Sequence, residues 1–85
     1  MAMTNYPLVK DAWTACGAAD DCTIQTDAEG VVRFTTDTSL PGAGVMDGLD
    51  IGIGPGLQRG ATVQRTGRTL YARIISGAVG LNVER

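Results

Sequence analysis

The sequence predicts an all-β fold, either a small β-sandwich or a partly closed barrel of about seven antiparallel strands that ends in a three-stranded meander. Two features of the composition support this fold class: 12 of the 85 residues are glycine, and charged residues make up only 19% of the chain. Short stretches of alternating apolar and polar residues recur between turn-forming residues, which is typical of strands joined by tight turns. A chain of 8.8 kDa has the size of one domain, so residues 1–85 are predicted to form a single β domain.

The first strand is predicted at residues 6–14. This stretch contains four apolar residues, Leu8, Val9, Ala12 and Trp13. The same four residues also fit one face of a helix, so a helix is the alternative. Thr14 and the nearby Gly17 favour the strand, because both weaken a helix that is already short.

The next two strands are predicted at Cys22–Thr26 and Val31–Thr36, paired as a hairpin through the loop Ala28–Gly30. This register places Ile24 opposite Phe34, with apolar side chains on one face and polar side chains on the other. A register that separates the two kinds of side chain supports the pairing.

The middle of the chain, from Asp37 to Gly60, is predicted to be mostly loop, because it holds seven of the twelve glycines and two of the three prolines. Within it, Leu49, Ile51 and Ile53 occupy alternate positions, which predicts one short strand.

The last third is predicted to form the meander, with two-residue turns at Thr66-Gly67 and Ser76-Gly77. These turns pair apolar residues of neighbouring strands: Val63 with Leu70, Ala61 with Ala72, Leu70 with Val83, Ala72 with Leu81, and Ile74 with Val79. Both turns therefore direct the same face of these strands toward the core. The opposite face carries Tyr71, Arg73 and Asn82.

Four residues are the candidate partner-contact residues: Trp13, Tyr71, Arg73 and Asn82. An exposed patch of aromatic, guanidinium and amide groups suits contact with another protein or with a carbohydrate. The alternative is that the rest of the chain covers these side chains.

The two cysteines, Cys16 and Cys22, allow three interpretations: reduced thiols that flank a turn, a disulfide that closes a short loop, or a redox-active pair. The charges of Asp20 and Asp21 would raise a neighbouring thiol pKa, which disfavours the redox-active pair. One pair at this spacing does not form a zinc site, which needs four ligands.

Several functional classes are excluded by composition. The net charge of −2 and the pI near 4.7 argue against nucleic-acid or membrane-surface partners, since both need a basic surface. The chain has no histidine, which excludes His-based catalysis and His-ligated metal sites. The glycine-rich stretch 52–56 is not followed by a helix, as phosphate binding requires. Asp47 and Asp50 lack the ligand spacing of a calcium loop. We therefore expect no enzyme activity, no metal and no cofactor.

The chain resembles the small β-rich virion proteins of tailed bacteriophages and prophages. The resemblance lies in the C-terminal stretch from Thr69 to Val83, with its Leu-Tyr-Ala-Arg strand, small-Gly turn and alternating last strand. It also lies in three short motifs near the start, Trp13-Thr14, Thr23–Gln25 and Val32-Arg33. The two cysteines are not part of this pattern.

The resemblance implies a non-enzymatic structural protein of the virion. Such proteins decorate or cement the capsid, or belong to head fibres and tail appendages, and trimers at threefold positions are usual among them. We therefore expect a capsid decoration protein that is made in the host cytoplasm, assembles as a homotrimer and contacts the major capsid protein or another virion protein. The alternative is a tail-fibre or appendage module that binds a glycan or protein of the host surface.

Overall fold

The computed structural model describes residues 3–26, 30–53, 56–77 and 80–85, and these residues form eight strands and no helix. The strands are β1 (Met3–Pro7), β2 (Thr14–Ala18), β3 (Cys22–Thr26), β4 (Val31–Asp37), β5 (Leu49–Gly52), β6 (Gly60–Val63), β7 (Thr69–Ser76) and β8 (Gly80–Glu84). It follows that the described part of the chain has no helix that is long and apolar enough to cross a membrane.

The strands form two antiparallel sheets of four strands each. Sheet A has the order β1-β8-β3-β6, and sheet B has the order β2-β7-β4-β5. The prediction of an all-β fold is confirmed, and the two sheets are consistent with a small β-sandwich. The strand count is corrected from about seven to eight, since the predicted first strand is two strands.

The predicted strand at 6–14 is wrong in its bounds. β1 ends at Pro7, the last residue paired with β8, because proline has no N–H to continue a ladder. The chain then crosses to the other sheet, where β2 begins at Thr14. Between these strands, Lys10 forms an isolated bridge to Ile74 and Asp11 has a φ of 63°. The helix alternative does not form either.

The chain changes sheet at every connection except the one between β4 and β5. All three predicted hairpins are therefore wrong. β3 and β4 lie in opposite sheets, and so do β6 and β7, and β7 and β8, so the predicted C-terminal meander does not exist. Three residues of the predicted loops and pairs, Ala28, Glu29 and Val79, lie outside the described residues.

The predicted inward faces are correct although the pairings are not. The described residues that were predicted to pair side by side lie instead in opposite sheets, with their side chains in or against one core. Seven described side chains of this core are completely buried: Cys16, Ile24, Val32, Leu70, Ala72, Leu81 and Val83. A turn between the two sheets directs the same residues toward the core as a hairpin turn within one sheet does. Alternation of apolar and polar residues alone therefore cannot distinguish the two kinds of turn.

Arg85 closes the sandwich at the edge where β1 and β2 lie. Its Nη2 donates to the carbonyl oxygens of Cys16 at 2.6 Å and Ala18 at 3.1 Å, and its Nη1 donates to the Tyr6 hydroxyl at 3.2 Å. Gly17 permits this approach: its φ is 80°, and a Cβ there would lie 2.6 Å from Arg85 Nη2. Arg85 thus covers carbonyl groups of an edge strand that would otherwise be open to another strand.

Candidate functional site

The outer face of sheet B is covered by the connection between β4 and β5, residues 38–48, which we call the covering segment. All of its residues except Pro41 are exposed to solvent. Three side chains that lie beneath the covering segment donate hydrogen bonds to the backbone carbonyls of the segment. Trp13 Nε1 donates to Val45 O at 2.9 Å, and Arg33 Nη1 donates to Met46 O at 2.9 Å. Arg73 Nη1 donates to the carbonyls of Ala43 at 2.7 Å and Val45 at 3.3 Å.

Three of the four candidate contact residues lie on this side of sheet B: Trp13 and Arg73 bind the covering segment, and Tyr71 is two residues from Arg73 on the same face of β7. Trp13, Tyr71 and Arg73 are buried, with exposed fractions of 5%, 7% and 5%. The expectation of an exposed patch is therefore wrong for these three, since the chain itself covers them. Neither Trp13 nor Tyr71 offers an open ring for stacking on a sugar in the isolated chain. Contact with a partner stays a prediction for them, because a single chain does not test it.

Asn82 lies apart from the other three. It belongs to β8 of sheet A, between the inward-facing Leu81 and Val83, so it points away from the core on the opposite side of the sandwich. It is half-buried, and its Oδ1 accepts a hydrogen bond from Asn5 Nδ2 at 2.8 Å. The sequence placed Asn82 beside Tyr71 only because β7 and β8 were expected to pair.

An ion pair lies on the same outer face of sheet B. Arg33 of β4 is directly opposite Asp50 of β5. Arg33 Nε donates to Asp50 Oδ1 at 2.6 Å and Arg33 Nη2 donates to Oδ2 at 3.0 Å, a bidentate arrangement. The hydrogen bonds from Arg33 hold the pKa of the Asp50 carboxyl below its usual value, with burial opposing the shift. The pair is partly exposed, at 23% and 29% of its side chains.

Arg73 lies beside this ion pair. It is directly opposite Arg33 across β4 and β7, so two guanidinium groups and one carboxylate, that of Asp50, follow one another across the sheet. The Arg73 guanidinium lies 5.5 Å from the centre of the Trp13 ring, a distance suited to a cation–π contact. Its Nε is buried and has no hydrogen-bond partner among the described residues.

The sequence did not identify Arg33, Asp50 or the covering segment as parts of one site. Alternation in β4 and β5 gave the only signal: Arg33 lies between the inward-facing Val32 and Phe34, and Asp50 precedes the inward-facing Ile51. Which polar side chains meet on that outer face depends on the sheet order, which the sequence mispredicted.

The two cysteines lie away from this outer face, inside the core. Cys16 of β2 and Cys22 of β3 lie in opposite sheets, and both are buried free thiols. Burial raises the pKa of the Cys16 thiol to about 11, partly opposed by the Arg85 charge. Burial also raises the pKa of Cys22, and the charges of Asp20 and Asp21 add to that shift. A raised pKa keeps both thiols protonated and poorly nucleophilic at neutral pH.

The described residues contain no group of three or more Cys, Asp or Glu side chains that could hold a metal ion. Two residues of the glycine-rich stretch considered for phosphate binding, Gly54 and Pro55, lie outside the described residues. No family model, curated protein or solved structure gives a significant match to this chain.

Proposed function

We propose that the chain is a non-enzymatic structural protein of a bacteriophage virion, a capsid decoration protein that assembles as a homotrimer and contacts the major capsid protein. The observation that supports a role in assembly is the concentration of exposed large apolar side chains in one part of the chain. Among the described residues, five of the eight such side chains fall between positions 40 and 53: Leu40, Val45, Met46, Leu49 and Ile53.

The covering segment accounts for three of these five side chains, Leu40, Val45 and Met46. Its carbonyl groups are used inward, on the donors of sheet B, while its apolar side chains point outward. Leu49, at the start of β5, is 68% exposed and Leu40 is 62% exposed. Exposed large apolar side chains favour contact with a partner. An 85-residue domain buries only roughly 60–65% of its unfolded surface, so association adds stability.

The virion setting rests on the resemblance of the opening and C-terminal motifs to small phage structural proteins. A tail-fibre or appendage module is the alternative. A glycan-binding version of that module would lack its aromatic stacking surface, because Trp13 and Tyr71 are buried in the isolated chain. Decoration is therefore the function proposed.

Sedimentation equilibrium tests the proposed assembly. We expect a trimer at micromolar concentration, and we expect Leu49→Ser to shift it toward monomer because a large exposed apolar side chain is lost from the interface. Ile75→Ser is the matched control: Ile75 is also exposed, at 37%, but lies outside residues 40–53. A monomer in the native protein, or equal weakening by both variants, contradicts the proposal.

The copy number of the protein in purified virions distinguishes the two settings. Hundreds of copies, measured by quantitative mass spectrometry, support decoration of the shell. A few tens of copies support an appendage, and none at all contradicts both.

A further inference from the structure

We propose that the Nε–Nη2 edge of Arg73 is a binding site for a carboxylate group supplied by another molecule. The inference does not depend on the proposed function, since it concerns the outer face of sheet B in a single chain. It rests on a comparison between two neighbouring arginines that hold the covering segment in the same way.

Arg33 shows how such a site is filled. Its Nη1 donates to a carbonyl of the covering segment, that of Met46, at 2.9 Å. Its Nε and Nη2, the two donors on the other edge of the guanidinium, both bind the Asp50 carboxylate, at 2.6 and 3.0 Å. This planar fork is the geometry in which guanidinium and carboxylate groups bind each other best.

Arg73 also binds the covering segment through Nη1, but it has no carboxylate of the described residues on its Nε–Nη2 edge. Its Nη1 donates to carbonyls of the covering segment, those of Ala43 and Val45. Among the described residues, neither its Nε nor its Nη2 has a hydrogen-bond partner. The described residues form two ion pairs, and Arg73 takes part in neither.

The charge balance points to a carboxylate. Arg73 is only 5% exposed, and a buried cation without a counter-charge is costly. Arg73, Arg33 and Asp50 are aligned across β7, β4 and β5, and Asp50 pairs with Arg33, so the positive charge of Arg73 has no carboxylate paired with it in the described part of the chain. One carboxylate would balance it, whereas a phosphate dianion would exceed it. Asp37 lies further along β4, opposite Thr69, and accepts a hydrogen bond from the Thr38 N–H at 2.6 Å.

The covering segment is attached to sheet B in a way that allows it to move away from Arg73. Among the described residues, its one backbone–backbone hydrogen bond lies within the segment itself, from the Val45 N–H to Gly42 O at 3.0 Å. Side-chain donors, rather than a strand ladder, hold it on the sheet. An outward shift of the segment therefore moves the carbonyls of Ala43 and Val45 away from the Arg73 guanidinium without breaking any strand pairing.

The test uses the native protein and acetate as the carboxylate probe. Sodium acetate is added against sodium chloride at matched ionic strength, and the NMR signals of the arginine Nε–H groups are followed. We expect the Arg73 Nε–H signal to shift saturably with acetate and its hydrogen exchange to slow, while the Arg33 signal stays in place. Trp13, the only tryptophan of the chain, reports the same event by fluorescence.

Two variants distinguish acetate binding at Arg73 from acetate binding at any other arginine. Arg73→Lys keeps the charge but loses the fork, so we expect about tenfold weaker acetate binding by the Trp13 signal. Arg68→Lys changes an exposed arginine on the turn before β7 and should leave binding unchanged. No saturable shift with acetate, an equal shift with chloride, or equal loss in both variants overturns the proposal.

A protein concentration series, run first without acetate and then with it, identifies the source of the carboxylate. If the Arg73 signal shifts with protein concentration and acetate competes with that shift, a side chain of a second copy supplies the carboxylate. If it shifts with acetate alone, the natural ligand is a separate carboxylate. A monomeric protein that still binds acetate supports this inference while contradicting the proposed trimer, so the two can fail separately.

Discussion

The two faces of sheet B are closed in different ways. The inner face packs apolar side chains such as Leu70 and Val32 against sheet A. The outer face is closed by the covering segment, whose carbonyls accept hydrogen bonds from Trp13, Arg33 and Arg73. Apolar burial is non-directional and is specified by spacing along each strand, whereas the polar cover requires particular groups to meet at particular distances. The inner face should therefore dominate stability, and the outer face should control local opening and binding.

The largest expected effect is on the inner face. Leu70 is completely buried, so Leu70→Ala should lower the free energy of unfolding by about 2–4 kcal/mol through lost burial and the cavity left behind. Urea denaturation measures this. Leu81→Ala, at a buried position of sheet A, should cost about as much, while Asn82→Ala beside it should cost under ~1 kcal/mol. The reverse order would mean that the inward and outward faces are exchanged.

A smaller effect is expected from the outer face. Trp13→Phe keeps a ring near Arg73 but loses the hydrogen bond to Val45 O, so unfolding should become easier by about 1 kcal/mol. Tyr6→Phe is the matched control, because it loses a hydrogen bond to Arg85 at an exposed position and should cost less. A Trp13→Phe cost as large as that of Leu70→Ala would contradict the division between the two faces.

A pH dependence is expected from the Arg33–Asp50 ion pair. The pKa of Asp50 is lower in the folded protein than its ordinary value, so the pair contributes stability above the ordinary carboxyl pKa of about 3.9. That contribution is lost as pH falls through the depressed pKa. It should amount to under ~1 kcal/mol because the pair is partly exposed. Urea denaturation at pH 7 and pH 3 measures it, and Asp50→Asn should reduce the difference. An unchanged difference would mean that the pair is not formed.

The smallest expected effect on global stability comes from Arg73→Met. The variant loses two hydrogen bonds to the covering segment but also removes a buried charge without a counter-charge, and the two effects offset each other to within about 1 kcal/mol. Hydrogen exchange of residues 43–46 should nevertheless become faster. A loss of about 3–5 kcal/mol is typical of breaking a buried ion pair. Such a loss would show that Arg73 already has a charged partner.

The difference between the inner and outer faces of sheet B also explains which features the sequence could predict. Period-two spacing correctly placed residues such as Ile24, Phe34 and Leu81 in the core. The same spacing of Leu49, Ile51 and Ile53 predicted β5. Strand pairing was mispredicted, because a turn between sheets and a turn within a sheet bury the same side chains.

The outer face could not be predicted from local patterns. The hydrogen bond between Trp13 and Val45 spans 32 residues, and that between Arg73 and Ala43 spans 30. The sequence predicted Trp13 and Arg73 to be partner-contact residues, but what covers them depends on the path of residues 38–48 in space.

Quenching of Trp13 fluorescence by acrylamide tests most directly whether the chain itself covers the outer face of sheet B. The signal is unambiguous because the chain has one tryptophan, and that residue is 5% exposed beneath the covering segment. We expect native protein to be quenched several-fold less than the unfolded protein in urea, at protein concentrations where sedimentation shows a monomer. Equal quenching of the native and unfolded protein would show that Trp13 is open to solvent and that the covering segment does not close this face.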